Sequence, residues 1–168
     1  MTQLSSKQAM EQMKMVVVGD GNVGKTCLLN SFKTGTFFEE HIPTIYDNFT
    51  KDLIMDNHWY RLNLWDTAGQ PEYLMLRILS YTDVDVLLVC YSIGDQLSLQ
   101  NVKGFWLPEI QHFCPSVPIM LIGTKSDLRE RDDENDDGWR RGRRAAVVTF
   151  DEAELLSRQM SWVVVSHR

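Results

Sequence analysis

The sequence predicts an α/β domain, a mostly parallel six-stranded sheet with helices on both faces. Three observations carry that expectation. Apolar runs of strand length alternate with segments of helical period. The first run feeds straight into a glycine-rich loop that opens a helix. No internal repeat or second domain divides the 168 residues, a length that suits one self-supporting core.

Each element follows from local chemistry. Residues 1–12 are polar and read as an N-terminal tail, with the domain running over 13–168. Met15 to Val18 is a short, continuously apolar strand. Lys25 to Thr34 then reads as a helix that buries Leu28, Leu29 and Phe32 and stops at Gly35. Phe49 to Met55 and Trp59 to Trp65 are two strands joined by a tight Asp56-Asn57 turn. Val84 to Ser92 and Ile119 to Gly123 are buried strands, and Ser98 to Phe113 between them is a helix kinked at Pro108. Thr149-x-x-Glu152 is a capping box for a helix with Ala153, Leu156 and Met160 on one face. Trp162 to Val165 is the last strand. The segment 130–144 is acidic, then basic, and reads as a solvated surface loop, with a partner-docking insert as the sharper alternative.

Composition removes several classes of function. A net charge of −6 argues against nucleic acid as the main partner. Cys27, Cys90 and Cys114 have no metal-ligand spacing and fit the reduced thiols of an intracellular chain. There is no secretory signal, and the longest apolar run, Val84 to Ile93, is too short to span a bilayer. The C-terminal residues offer no prenylation box and no polybasic tail. The expectation is therefore a cytoplasmic chain without a lipid anchor. Asn48-Phe49-Thr50 matches a glycosylation sequon by chance.

Gly19-Asp20-Gly21-Asn22-Val23-Gly24-Lys25-Thr26 fits the pattern G-x-x-x-x-G-K-[ST], with an apolar strand before it and an amphipathic helix after it. Such a turn points backbone N–H groups at phosphate oxygens beside the positive end of a helix dipole. Lys25 adds a charge toward the β- and γ-phosphates, and Thr26 a hydroxyl for Mg²⁺. The base is chosen downstream. Thr124, Lys125 and Asp127 follow a strand, and a carboxylate there accepts two hydrogen bonds from guanine that adenine cannot offer. Between these motifs, Asp66 ends a strand where it can hold Mg²⁺ through water. Gly69 can present its N–H to a γ-phosphate, and Gln70 can orient a hydrolytic water. Upstream, Thr44 offers a second hydroxyl for the metal, on a loop that orders when γ-phosphate is present.

These four elements together resemble the Ras superfamily of small GTPases, and the Rho/Rac branch most closely. The closer match lies in "GDGNVGKTCLL", "IPTIYDNF", "LWDTAGQPEY", "WLPEIQHFCP" and "IGTKSDLR", and it covers about Met13 to Met160 with an insert after Arg129. The resemblance implies a P-loop NTPase fold of the small-GTPase type and a monomeric switch. GTP orders two loops, roughly Phe37 to Phe49 and Asp66 to Tyr81, effectors bind that state, and slow Mg²⁺-dependent hydrolysis to GDP releases it. It implies signalling to the actin cytoskeleton, and exchange factors, GAPs and effectors as partners. Cys27 joins the nucleotide-binding set and Phe37 packs on the guanine. The switch surface comprises His41, Ile42, Pro43, Thr44, Ile45, Tyr46, Asp47, Asn48, Phe49, Pro71 and Tyr73. Gln70, Lys25 and Gly69 are the implied catalytic groups.

The chain also departs from that pattern. Asn22 replaces a small residue and is expected to face solvent. His41 stands in place of a tyrosine that closes over the nucleotide, which either loosens closure in a pH-sensitive way or has no consequence. Pro71 replaces an acidic residue and disfavours helical backbone at Gln70. It either displaces the glutamine or pre-sets it, and the expectation leans toward impaired hydrolysis. Leu74 and Met75 stand where charges are usual, either as a partner surface or as extra packing. In register with the family, the final base-contacting loop, unless Ser166 supplies part of it, and the last helix are expected to be missing from these residues. A second functional reading follows: a non-hydrolysing interaction module that holds effectors or exchange factors and binds nucleotide weakly.

Overall fold

A computed structural model describes residues 10–37, 46–129, 147–160 and 162–165. Its first strand, β1 (Glu11–Gly19), is longer than the apolar run within it. Glu11 and Gln12, expected in the tail, pair with Tyr60 and Arg61 of β3 (His58–Thr67). Their polar side chains are exposed at the strand end while the backbone continues the ladder, so polarity alone misplaced the boundary.

The sheet has the order β2-β3-β1-β4-β5-β6, with β2 (Tyr46–Met55) antiparallel and every other pairing parallel. The β2–β3 hairpin turns at Asp56 and Asn57, whose φ values of 50° and 62° are those of a type I′ turn. Tyr46 to Phe49, assigned by the resemblance to a switch loop, belong to β2, where they pair with Thr67 to Leu64. The remaining strands are β4 (Val86–Ser92), β5 (Ile119–Thr124) and β6 (Val163–Val165).

Alternation along the central strands divides the core in two. Val16, Val18, Leu87, Val89 and Tyr91 face one side, with Leu99, Val102, Trp106, Ile110 and Ala153 packed on them. Val17, Leu64, Leu88 and Cys90 face the other, against Val23 and Leu29. The second side is covered by α1 (Lys25–Thr34), which ends at Gly35 with an N–H bond to Ser31 O at 2.8 Å. Phe32 is not in the core as expected. It is 39% exposed, with the Lys51 ammonium 4.2 Å above its ring. Its place in the last turn of α1, beside the edge strand β2, leaves water on one flank.

The first side is covered by one continuous helical stretch. It begins as α3 (Gln96–Asn101), passes through a π-helical turn at Val102–Trp106, and continues as α4 (Leu107–Phe113). Asp95 caps it by accepting from the N–H groups of Leu97 and Ser98, so the helix starts at Gln96, two residues ahead of the expected Ser98. At Pro108 the helix is not broken, and the chain stays helical on both sides of it. The wider turn lets Leu107 N–H bond to Val102 O just before the residue that has no N–H. On the same side lies α5 (Phe150–Met160), opened by the expected box: Thr149 N–H to Glu152 Oε2 at 2.8 Å, and Glu152 N–H to Thr149 Oγ1 at 3.2 Å. No helix among the described residues is long and apolar enough to cross a membrane.

Candidate functional site

Parallel register brings the carboxyl ends of β1, β3 and β5 to one edge, where Gly19 pairs with Cys90, Val17 with Asp66 and Ser92 with Thr124. That is where ligands meet sheets of this kind. The glycine loop leaves β1 there, and Gly24 (φ 99°) turns it left-handed into α1. Asn22 also has positive φ, at 62°, and is exposed, as its amide was expected to be.

Lys25 lies inside this turn at only 6% exposure. Its ammonium donates to Gly19 O at 2.8 Å and Asp20 O at 2.7 Å, so the loop backbone holds it in place. Burial lowers its pKa, and the Cys90 thiol, Asp66 and Asp20 act in the opposite direction. A buried cation of this kind attracts an anion that restores its charge balance. Burial also pushes the neighbouring Cys90 thiol up to about 12, so this cysteine is inert. Cys27 is half-buried in the first turn of α1.

Thr26 and Asp66, 40 residues apart in sequence, meet here, with Thr26 Oγ1 donating to Asp66 Oδ2 at 2.6 Å. Two hard oxygen donors side by side, next to a phosphate-shaped loop, suit Mg²⁺, which binds through few protein ligands and keeps its waters. The residues present therefore fit the implied metal. Among the described residues there is no cluster of His, Cys, Asp or Glu for any other.

The strand that ends in Asp66 continues through Thr67, whose hydroxyl bonds Val17 O at 2.7 Å, into Ala68, Gly69 and Gln70. Gly69 is pressed against the phosphate loop. A Cβ there would lie 2.4 Å from Gly19 O and 2.5 Å from Gly21 N. Gln70 comes next, and a Cβ on Gly21 would stand 3.8 Å from its Nε2. Its backbone is extended (φ −72°, ψ 144°), as a residue before proline prefers, and Pro71 starts a short 3₁₀ turn, Pro71–Tyr73. So Pro71 sets the backbone of Gln70 while the side chain stays over the loop. Helix α2 (Leu74–Ser80) follows, and Met75 and Leu79 are 75% and 69% exposed. That exposure removes the packing explanation for Met75.

On the base side, Thr124 Oγ1 lies within hydrogen-bond distance of Val23 O and 2.9 Å from Tyr91 O, tying β5 to the phosphate loop. Lys125 then takes a positive φ of 59°, which turns the chain toward Asp127. Phe37 is 70% exposed beyond α1. His41, Ile42, Pro43, Thr44 and Ile45, and the insert at 130–144, lie outside the described residues.

Sequence reasoning missed one group altogether. The Asp20 side chain accepts from Asn101 Nδ2 at 2.6 Å and Trp106 Nε1 at 2.7 Å. Arg77 of α2 is buried, gives Glu109 a two-point bond at 2.7 and 2.8 Å, and donates to Ala68 O at 2.8 Å. Tyr81 also donates to Glu109, and burial together with that carboxylate holds its hydroxyl protonated. A signal was available. Arg77 is the lone charge in the apolar run "YLMLRILSY", and a buried guanidinium requires partners.

A Ras family model matches residues 14–166. The chain is 58% identical over 125 residues to the GTP-binding protein RHO4 of Saccharomyces cerevisiae, covering 74% of this chain and 43% of that protein. It is 50% identical over 126 residues to a GTP-binding RHO-like protein of Candida albicans, covering 74% and 36% respectively. The chain thus spans less than half the length of these curated relatives.

Proposed function

The chain belongs to the Ras family as a Rho-like small GTPase, and on that premise we propose that it binds GTP and GDP with Mg²⁺ and hydrolyses GTP slowly. The observation that supports this reading is the convergence of Lys25, Thr26, Asp66 and the Gln70 amide on one loop. Lys25 and the loop N–H groups would hold the β- and γ-phosphates. Thr26 directly and Asp66 through water would hold the metal, with Thr44 as a further ligand. Mg²⁺ bound there supplies charge neutralisation at the phosphate oxygens. Gln70 would orient the attacking water, and Thr124, Lys125 and Asp127 would select guanine.

Slow turnover is part of the proposal, and the placement of Arg77 supports it. Arg77 spends its donors on Glu109 and Ala68 O, so it is not poised over a phosphate. An arginine supplied in trans by a GAP would then add roughly 10³–10⁵ in rate. The test is single-turnover GTP hydrolysis by the parent chain and by Gln70→Leu, each with and without a Rho-type GAP domain. The expected result is slow parent turnover, accelerated by the GAP and abolished by the substitution. Equal GAP-stimulated rates would remove the role assigned to Gln70.

A second reading, binding of effectors or exchange factors without turnover, is favoured by the exposed Met75 and Leu79 on α2. A parent chain that binds a partner through this helix while holding nucleotide weakly and not hydrolysing GTP would select it. Signalling to the actin cytoskeleton through such partners, and a cytoplasmic location, are part of the same proposal.

A further inference from the structure

Trp106 belongs to no nucleotide motif, yet its side chain touches both halves of the site. Its indole N–H and the Asn101 amide together satisfy the two carboxylate oxygens of Asp20. These donors are five residues apart. In an α-helix of 3.6 residues per turn they would point about 140° from each other. The π turn Val102–Trp106, closed by i→i+5 bonding, brings them onto one side.

The face of the same ring carries the Arg77 guanidinium, 4.7 Å from the ring centroid. Arg77 holds Ala68 O, and the next residue, Gly69, rests on the backbone of Gly19 to Gly21. The contacts close a ring: Asp20 backbone to Gly69, Ala68 to Arg77, Arg77 to Trp106, and Trp106 back to the Asp20 side chain. A leucine would offer neither a ring face nor an N–H, and a phenylalanine only the face. Only an indole offers a face to the cation and an N–H to the acid.

We propose that Trp106 is a positioning residue for GTP hydrolysis: by joining Asp20 to Arg77 it fixes the segment carrying Gln70 over the phosphate loop. The proposal rests on the hydrolytic reading above, but its geometric half can be measured apart from turnover.

The variants are Trp106→Phe, which keeps an aromatic face but removes the N–H with its five-membered ring, and Asp20→Asn, which keeps the size and removes one acceptor oxygen, together with the double variant. Each is loaded with GDP for amide hydrogen exchange and with GTP for single-turnover hydrolysis. In Trp106→Phe, exchange across residues 68–72 should quicken about tenfold, the scale of one bond to a charged group, while Val16 to Val18 keep their protection. Hydrolysis should slow by a similar factor at saturating nucleotide. Asp20→Asn should reproduce both effects, and the double variant should be no worse than either single one. Unchanged exchange at 68–72 in a folded Trp106→Phe, or losses that simply add in the double variant, would overturn the proposal. If the parent chain does not turn over, the hydrolytic reading fails, and the exchange measurement alone decides whether Trp106 holds the segment.

Discussion

Two arginine–carboxylate pairs in this molecule have nearly the same geometry and opposite surroundings. Arg61 meets Asp52 across the β2–β3 hairpin through two bonds of 2.8 and 2.9 Å. Arg77 meets Glu109 through two of 2.7 and 2.8 Å. The hairpin pair is 42% and 38% exposed, the other 0% and 8%. Distance therefore says little about what each pair does. At the hairpin, water and salt can replace either partner. Between α2 and α4, nothing replaces the glutamate if it is removed, and the charge left behind sits next to the segment that carries Gln70.

The largest expected effect separates the two pairs directly. Glu109→Ala should cost about 3–5 kcal/mol in unfolding free energy, because it strands a buried guanidinium. Chemical denaturation measures it, and a loss below about 1 kcal/mol would erase the contrast. An intermediate effect is expected at Thr124→Val, which leaves the carbonyls of Val23 and Tyr91 without that hydroxyl. It should cost about 1–3 kcal/mol by the same measurement and weaken nucleotide retention as well.

Burial acts on protons in the same sense. The Cys90 thiol is raised to about 12 in the folded chain, against about 8.5 for a free cysteine. A raised acid contributes its full stability below the unfolded value and loses it as pH rises toward the folded one. Between about pH 8.5 and 12 the parent should therefore lose up to about 1.4 kcal/mol per pH unit relative to Cys90→Ala. Lys25, whose pKa is lowered by burial, contributes the opposite slope, and because it is coupled to the Cys90 thiol the difference between the chains reports the pair. Parallel stability–pH curves for the two chains would contradict the account. The smallest effect belongs to the hairpin: Asp52→Ala should shift the denaturation midpoint least of these variants, and less still at high salt.

What the sequence made legible was whatever a few neighbouring residues decide. The strand–loop–helix around Lys25, the Asp56-Asn57 turn and the Thr149–Glu152 box each depend on contacts within a few positions, and each has the expected form. The meeting of Thr26 with Asp66 was legible only because both lie in recognisable motifs at strand ends. The Asp20 bonds to Asn101 and Trp106 span 81 and 86 residues, and they need a π turn that local propensity does not encode. Pro108 marked the place of that turn without revealing its register. Phe32 failed for a simpler reason: helical period gives the apolar face of α1, but not where the neighbouring sheet ends.

The central claim is that this site holds a guanine nucleotide. The most direct measurement is to purify the chain from cells, denature it, and identify the released nucleotide by chromatography. The account predicts GDP or GTP at close to one per chain. An empty protein, or one that releases adenine nucleotide, would contradict it.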